Sequence, residues 1–423
     1  MGRAINRAAA PIPGAVLLSK PNARLCSQCK GSRRLCGLPE CPILVRVRQQ
    51  LKLEKLRETK TLYSPTPPSV LVGEHGYPRV RAGVNLPALG SEEPRLFEDP
   101  GAWWGRLSLY DIIRLRAGLV FSYSVSHVRA AGKLGEAVQE AALSLKPVDS
   151  EAVFRRPPTP RLTFDPLLKP VGPSAPVEQL RVVGNPAIPR RVDQLVLDRV
   201  KASRALVELY EHGYDVYYLQ RLLSAGVLGV EKRLVPTRWA ITAVDKLLGD
   251  YLLGKLRDKP PLQGYEVYHS SYIGNRYTLV LMPRPWSMEM VEVWMPHSVW
   301  VPGEQAQVYT VHEWSDGRPS AEDGGYQAIR FAVLEELSKR GRQASVLAVR
   351  EITPEYFAPV GNWQIREGVR NALRRGPLKA STLEEALEVA AGILLTPLRE
   401  ILSRSVLLRH LKVQRGLEEF LEA

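Results

Sequence analysis

The chain of 423 residues holds four cysteines, and all of them fall in LCSQCKGSRRLCGLPECPI as Cys26, Cys29, Cys36 and Cys41. Thiolates spaced C-x2-C-x6-C-x4-C can close a tetrahedral shell around zinc, with the Cys26-x-x-Cys29 pair forming a knuckle whose backbone N–H groups point at sulfur. Gly31, Gly37 and Pro39 supply the turns between ligands. Four thiolates leave no open coordination position, so the Zn2+ would be structural and would hold together a loop too short to own a core. An iron–sulfur cluster is the rival occupant of the same ligands. Two disulfides are disfavoured in a reducing compartment, and four unrelated buried thiols are disfavoured by the clustering.

Cations crowd this segment. Residues 1–60 carry 13 Lys or Arg against 3 Glu, which is most of the formal +14 of the whole chain. Lys30, Arg33 and Arg34 sit inside the cysteine loop, and Arg46 and Arg48 follow in CPILVRVRQQLKLEKLRETK, which has helical periodicity. Cations on a fixed platform neutralise phosphates, so the expected partner is nucleic acid, with these five residues as contacts; a solvated basic loop is the bland alternative. An anionic membrane ranks second, and no apolar run reaches the 18 residues that a membrane-spanning helix needs. The stretch AAAPIPGAVLL after Arg3 and Arg7 imitates an export signal, but Pro11 and Pro13 interrupt it, and a cytoplasmic location is expected.

At the other end, QRGLEEFLEA spells Q-x-x-[LIM]-x-x-[FY]-hydrophobic, the pattern of peptides that dock on sliding clamps. One 3₁₀-like turn would bring Leu417, Phe420 and Leu421 to one side as an apolar plug, with the Gln414 amide bonded in a polar pocket. The competing reading is a last helical turn whose apolar residues pack on the parent fold.

Common catalytic motifs are absent: there is no G-x-x-x-x-G-K-[ST], no H-E-x-x-H and no G-x-S-x-G. No catalytic residue is assigned. Polar residues do gather in apolar surroundings: Arg238 and Asp245 in VPTRWAITAVDK, Glu289 and Glu292 in WSMEMVEVW, and Asn362, Gln364, Arg366 and Glu367 in PVGNWQIREGVR. A buried arginine–carboxylate network explains them. The sharper reading is a site where Arg238, Arg330 and Arg366 meet anions and the acids hold a metal, which would suit a metal-dependent nuclease.

The elements that must position these residues point to an α+β fold. SLYDIIRLRAGLVF, Gly132–Leu145, RVDQLVLDRVKASRALVELYEHG, DVYYLQRLLSAG, RWAITAVDKLLGDYLLGKL and Gly325–Arg340 read as helices. YEVYHSSYI and RYTLVLMP flank Gly274-Asn275 as a hairpin, and with MVEVWMPHSVW and AQVYTVHEW they predict one four-stranded antiparallel sheet; ASVLAVREI is a further strand. Ser381 and Glu384 suggest a capping box before LEEALEVAAGILL, and LREILSRSVLLRHLK reads as one helix. Residues 61–102 are rich in Pro and Gly and predict irregular loops. The expected organisation is a basic zinc module and flanking helix (1–60), Pro/Gly-rich loops and helices (61–176), a helical and antiparallel-sheet core (177–411), and a clamp-binding tail (412–423).

Taken together, the four-cysteine cluster, VGEHGYPRVRAG, GPSAPVEQLRVVGNPAIPRRVD, LLSAGVLG, VPTRWAITAVDK, WSMEMVEVW, PVGNWQIREGVR and the terminal QRGLEEFL resemble the archaeal Nre family of DNA repair proteins over nearly the full length. The resemblance implies a zinc-finger-type module that binds DNA, a PCNA-interacting motif from Gln414 to Leu421, and a role in DNA damage repair at the sliding clamp. It brings no enzymatic activity that transfers onto residues, and Leu421 stands where clamp peptides often carry a second aromatic. A metal-dependent nuclease, and an RNA-binding or RNA-modifying zinc protein, are the alternatives.

Overall fold

Alternating burial along short strands builds the first half of the molecule. The computed structural model describes residues 26–413 apart from 27, 52–59, 89–92, 130–131, 160–170, 185, 299 and 302. After the cysteine loop come α1 (Pro42–Leu51), β1 (Thr61–Thr66), β2 (Val70–Val72), β3 (Arg79–Pro87), α2 (Pro100–Trp103) and α3 (Leu109–Ala117). Then follow β4 (Leu119–His127), α4 (Gly132–Leu143), β5 (Val148–Phe154) and β6 (Ser174–Val182). The six strands form one sheet in the order β1-β5-β6-β4-β3-β2, antiparallel except where β4 runs parallel to β6.

Three of these strands occupy the segment where Pro and Gly predicted irregular loops, so that expectation is corrected. Pro65 is tolerated because β1 is an edge strand with one side unpaired. Gly83 is needed inside β3 because a Cβ there would run into the Ser122 carbonyl of β4.

The helical middle holds α5 (Arg190–Leu197), α6 (Ala202–Glu211), α7 (Val216–Ser224) and α8 (Thr237–Leu256). The single helix expected from 191 to 213 is two helices. Asp198 closes α5 with its N–H on the Gln194 carbonyl, and Arg199 takes φ +52, a left-handed conformation that ends a helix.

The second half alternates β7 (Tyr265–Tyr272), β8 (Asn275–Met282), β9 (Ser287–Trp294), β10 (Gln307–Glu313), α9 (Gly324–Arg340), β11 (Ser345–Ile352), α10 (Trp363–Arg374) and β12 (Leu378–Ala380), and closes with α11 (Leu383–Ala391), α12 (Leu398–Arg404) and α13 (Val406–Val413). The β7–β8 hairpin is present, with Ile273 and Gly274 at φ 43 and 75 as its two loop residues and Asn275 already paired with Tyr272. The four-stranded antiparallel sheet is not. The order is β10-β9-β11-β8-β7-β12: β11 inserts between β8 and β9, antiparallel to the first and parallel to the second. α9 lies in the crossover between the parallel pair, and β11 is buried at all eight positions, as a central strand covered on both faces must be.

Two local expectations shift for visible reasons. Thr382, not Ser381, caps α11: its hydroxyl accepts from Glu385 N at 3.1 Å, while Ser381 N donates to the Glu385 carboxylate at 2.7 Å. The helix expected across LREILSRSVLLRHLK breaks at Ser405, where α12 ends and α13 starts.

Successive residues of the second sheet serve opposite layers. Leu279, Leu281, Met288, Met290, Val346 and Ala348 share a core with α8, α9, α10 and the first sheet. Val280, Met282, Val291, Val293, Leu347 and Val349 pack beneath α11, α12 and α13. A third cluster joins Ile43 and Val45 of α1 to Trp103, to Ile112 and Ile113 of α3, and to Tyr356, Phe357 and Trp363, so the segment after the cysteines is packed on the body.

Candidate metal module, ion pairs and the cleft beside the central helices

The cysteine loop is turned by residues that can enter the left-handed region, Lys30, Gly31, Arg34 and Gly37, at φ 48, 78, 49 and 72. Lys30 N donates to Cys26 O at 2.9 Å and Ser32 N to Cys29 O at 3.1 Å, which tightens the first pair into a knuckle. Burial, and then the nearby sulfurs of Cys36, Cys41 and Cys29, push the Cys26 thiol up to about 11. Burial acts the same way on Cys29, but the backbone N–H groups of Leu35, Gly31, Arg33 and Arg34 outweigh it and hold that thiol below its ordinary value. Thiolate is the ligand type that a soft divalent cation takes. No three Cys, His, Asp or Glu among the described residues are closed into a metal-holding group.

The cations of this region divide. Lys30, Arg33 and Arg34 are exposed, and Arg48 stands in water with Glu40 at 3.3 Å. Arg46 does not share their surface: it is 5% exposed on the inner side of α1, which removes it from the expected phosphate contacts. Glu40 ties the module to α3, taking Arg114 at 2.8 Å on its carboxylate and the Tyr110 hydroxyl at 2.7 Å on its carbonyl. Gln414, Leu417, Phe420 and Leu421 lie outside the described residues.

The polar residues of the body are brought into pairs, not into one site. Arg366 and Asp245 join α10 to α8 with both side chains fully buried, and Gln220 donates to the second carboxylate oxygen at 3.1 Å. Burial works against the charge on Arg366, and the Asp245 carboxylate beside it more than compensates. Arg330 meets Glu313 through Nε at 2.8 and 3.0 Å and Asp250 at 2.9 Å. Arg350 meets Glu292, and Arg370 meets Glu335 and Glu367 at 2.8 Å each. Glu289 caps α13: it accepts from the Ser405 hydroxyl, from Val406 N at 2.9 Å and from Leu407 N at 3.1 Å. Gln364 accepts from the Tyr277 hydroxyl. Arg238 is on the surface, with 82% of its side chain exposed and Glu74 at 3.4 Å. Arg238, Arg330 and Arg366 therefore lie in three different environments, and the acids expected to hold a metal are engaged in caps and ion pairs.

Three of the strings, VGEHGYPRVRAG, VPTRWAITAVDK and PVGNWQIREGVR, line one cleft of about 1120 Å³ between β2 and the helices α8, α9 and α10. Gly73 and Glu74 form one wall, Arg238, Trp239 and Lys246 of α8 another, and the starts of α9 and α10, at Gly324 and Asn362, the third. A Cβ on Gly324 would fall 2.8 Å from Asn362 Nδ2 and 2.9 Å from Thr242 Oγ1, so the starts of α9 and α10 meet against the second turn of α8. Trp239 is 45% exposed beside the equally exposed Tyr77, with ring centroids 5.1 Å apart. The sequence did carry a signal for Trp239: it falls out of step with the buried stripe Ala240, Val244 and Leu248 of α8.

Comparison with known proteins places this geometry in context. The family described as Archaeal Nre, N-terminal matches residues 35–301, and Archaeal Nre, C-terminal matches residues 313–420. The first match takes in Cys36 and Cys41 and begins after Cys26 and Cys29. The chain is 36% identical to the DNA repair protein NreA of Archaeoglobus fulgidus over 86% of this chain and 93% of that protein. It is 34% identical to DNA repair protein NreB of the same organism, over 86% and 91%. With DNA repair protein NreA of Haloferax volcanii it shares 35% over 85% and 89%. No solved structure matches.

The Arg366–Asp245 pair yields a stability test. Asp245→Ala strands a buried guanidinium and should cost about 3–5 kcal/mol in denaturant unfolding, whereas replacing both partners by apolar residues should recover much of that loss. A cost below about 1 kcal/mol for the single variant would show that the pair does not hold α8 and α10 together.

Proposed function

The chain belongs to the archaeal Nre family, and on that footing we propose that it is a DNA repair factor that contacts DNA through its cysteine module and is recruited to PCNA through its C-terminal end. The observation that carries this reading is identity of 36% spread over 93% of a relative named as a DNA repair protein, which leaves little room for a different architecture. The engaged state of Glu289, Glu292, Asp245 and Glu367 speaks against a nuclease built on those acids. No described helix is long and apolar enough to cross a membrane.

In this reading Cys26, Cys29, Cys36 and Cys41 would hold one structural zinc, whose charge would offset that of the thiolates and lock the loop. Lys30, Arg33, Arg34 and Arg48 then meet phosphates as point charges on a fixed surface. Gln414 sets the register of the terminal peptide on the clamp, and Leu417, Phe420 and Leu421 fill its apolar pocket.

Three outcomes test the parts separately. Elemental analysis of the purified protein should find one zinc per chain, lost together with several degrees of melting temperature in Cys36→Ser/Cys41→Ser; iron with visible absorption would replace the zinc assignment by a cluster. Arg33→Ala/Arg34→Ala should weaken DNA binding alike across sequences and reduce the salt slope by up to about two units, and an unaltered slope would move the phosphate face elsewhere. Phe420→Ala should weaken clamp binding by roughly thirtyfold without changing the melting temperature. A large drop in melting temperature with clamp binding intact would make the end of the chain part of the fold.

A further inference from the structure

We propose that the cleft between β2 and the helices α8, α9 and α10 holds a single DNA strand, with an unpaired base laid against Trp239, which Tyr77 braces. The assignment rests on the DNA repair reading and adds a second contact, distinct from the cysteine module. At about 1120 Å³ the cleft exceeds the roughly 300–1,000 Å³ of ordinary small-molecule pockets.

Its chemistry is that of a stacking platform. A tryptophan left 45% exposed at the start of a helix gains nothing for the fold from its free face. Its orientation is nevertheless set, because Trp239 Nε1 donates to the Glu74 carboxylate at 3.2 Å and the ring leans on Tyr77 at an interplanar angle of 47°. A held ring with an uncovered face receives any base, since every base has a π-face. Arg238 is bonded to the other oxygen of Glu74 at 3.4 Å and is almost wholly in water, so leaving that partner for a phosphate costs it little.

Stacking on Trp239 also distinguishes the forms of DNA. Against Arg116, Arg238 and Lys246 the wall sets Glu74, Glu322 and Asp323, so it has no excess of positive charge. A duplex, with one charge per roughly 1.7 Å and its base faces already stacked, gains nothing from such a surface. A single strand offers the free base face and fewer charges per length.

The test is fluorescence anisotropy of the full-length protein with a dye-labelled 20-mer single strand, its duplex and the RNA of the same sequence, for the parent, Trp239→Ala, Trp239→Phe and Arg33→Ala/Arg34→Ala. Photocrosslinking of a 5-iodouracil strand to the parent maps the contact. The expected result is single-strand binding weakened about tenfold in Trp239→Ala and largely restored in Trp239→Phe, with duplex binding changed less than about twofold and crosslinks at Trp239 or Tyr77. The module variant should instead weaken both DNA forms. If DNA binds but Trp239→Ala matches the parent and crosslinks fall elsewhere, the cleft assignment is wrong while the DNA contact stands. If the parent binds neither DNA form, both readings fail; if RNA binds far more tightly through Trp239, the occupant is RNA. Should Trp239→Ala fail to fold, the parent's crosslinks decide.

Discussion

Arg366 and Asp245 meet where neither side chain reaches water, and that contact fixes α10 against α8. Removing two charges from water costs several kcal/mol per ion, so such a pair persists only with close geometry and further hydrogen bonds, of which Gln220 supplies one. Both helices run from this pair to the cleft, where Arg238 and Trp239 begin α8 and Asn362 precedes α10. The pair thus sets the spacing of two of the walls that define the cleft.

The same device recurs through the second half. Arg330 to Glu313 ties α9 to β10, Arg350 to Glu292 joins the parallel neighbours β11 and β9, and Arg370 to Glu335 ties α10 to α9. Glu289 reaches out of β9 to start α13. The geometry is specific because a carboxylate and a guanidinium in a dry layer tolerate few arrangements, whereas aliphatic contacts tolerate many. This explains why polar residues crowd into segments that otherwise read as core.

The family matches divide the chain between residues 301 and 313, yet the second sheet does not divide there. β7, β8 and β9 precede the gap, and β11 enters between β8 and β9 from the other side of it. The two matched segments therefore share one sheet and one core. The cysteine module likewise is continuous with the body through α1, α3 and the aromatic cluster around Trp103 and Trp363, whose rings lie 5.1 Å apart. A rigid mount of this kind keeps exposed Lys30, Arg33 and Arg34 at a fixed place relative to the cleft.

Local chemistry by itself determined the α+β class, the β7–β8 hairpin and most helix stops, because turns and caps act over a few residues. Gly226 ends the segment after α7 at φ 69, and Gly341 ends α9 at φ 60, as a glycine after a helical stripe implies. Tertiary structure decided the rest. Nothing in ASVLAVREI says that it will enter between two strands that precede it, since partner choice depends on which layer each face must cover. The burial of Arg46, the break at Arg199 and the strands inside a Pro- and Gly-rich segment depended on neighbours far away in sequence. The polar strings looked like a site because their residues could do chemistry; only packing assigned each acid its own arginine or helix end, and left Trp239, inside one of those strings, facing open space.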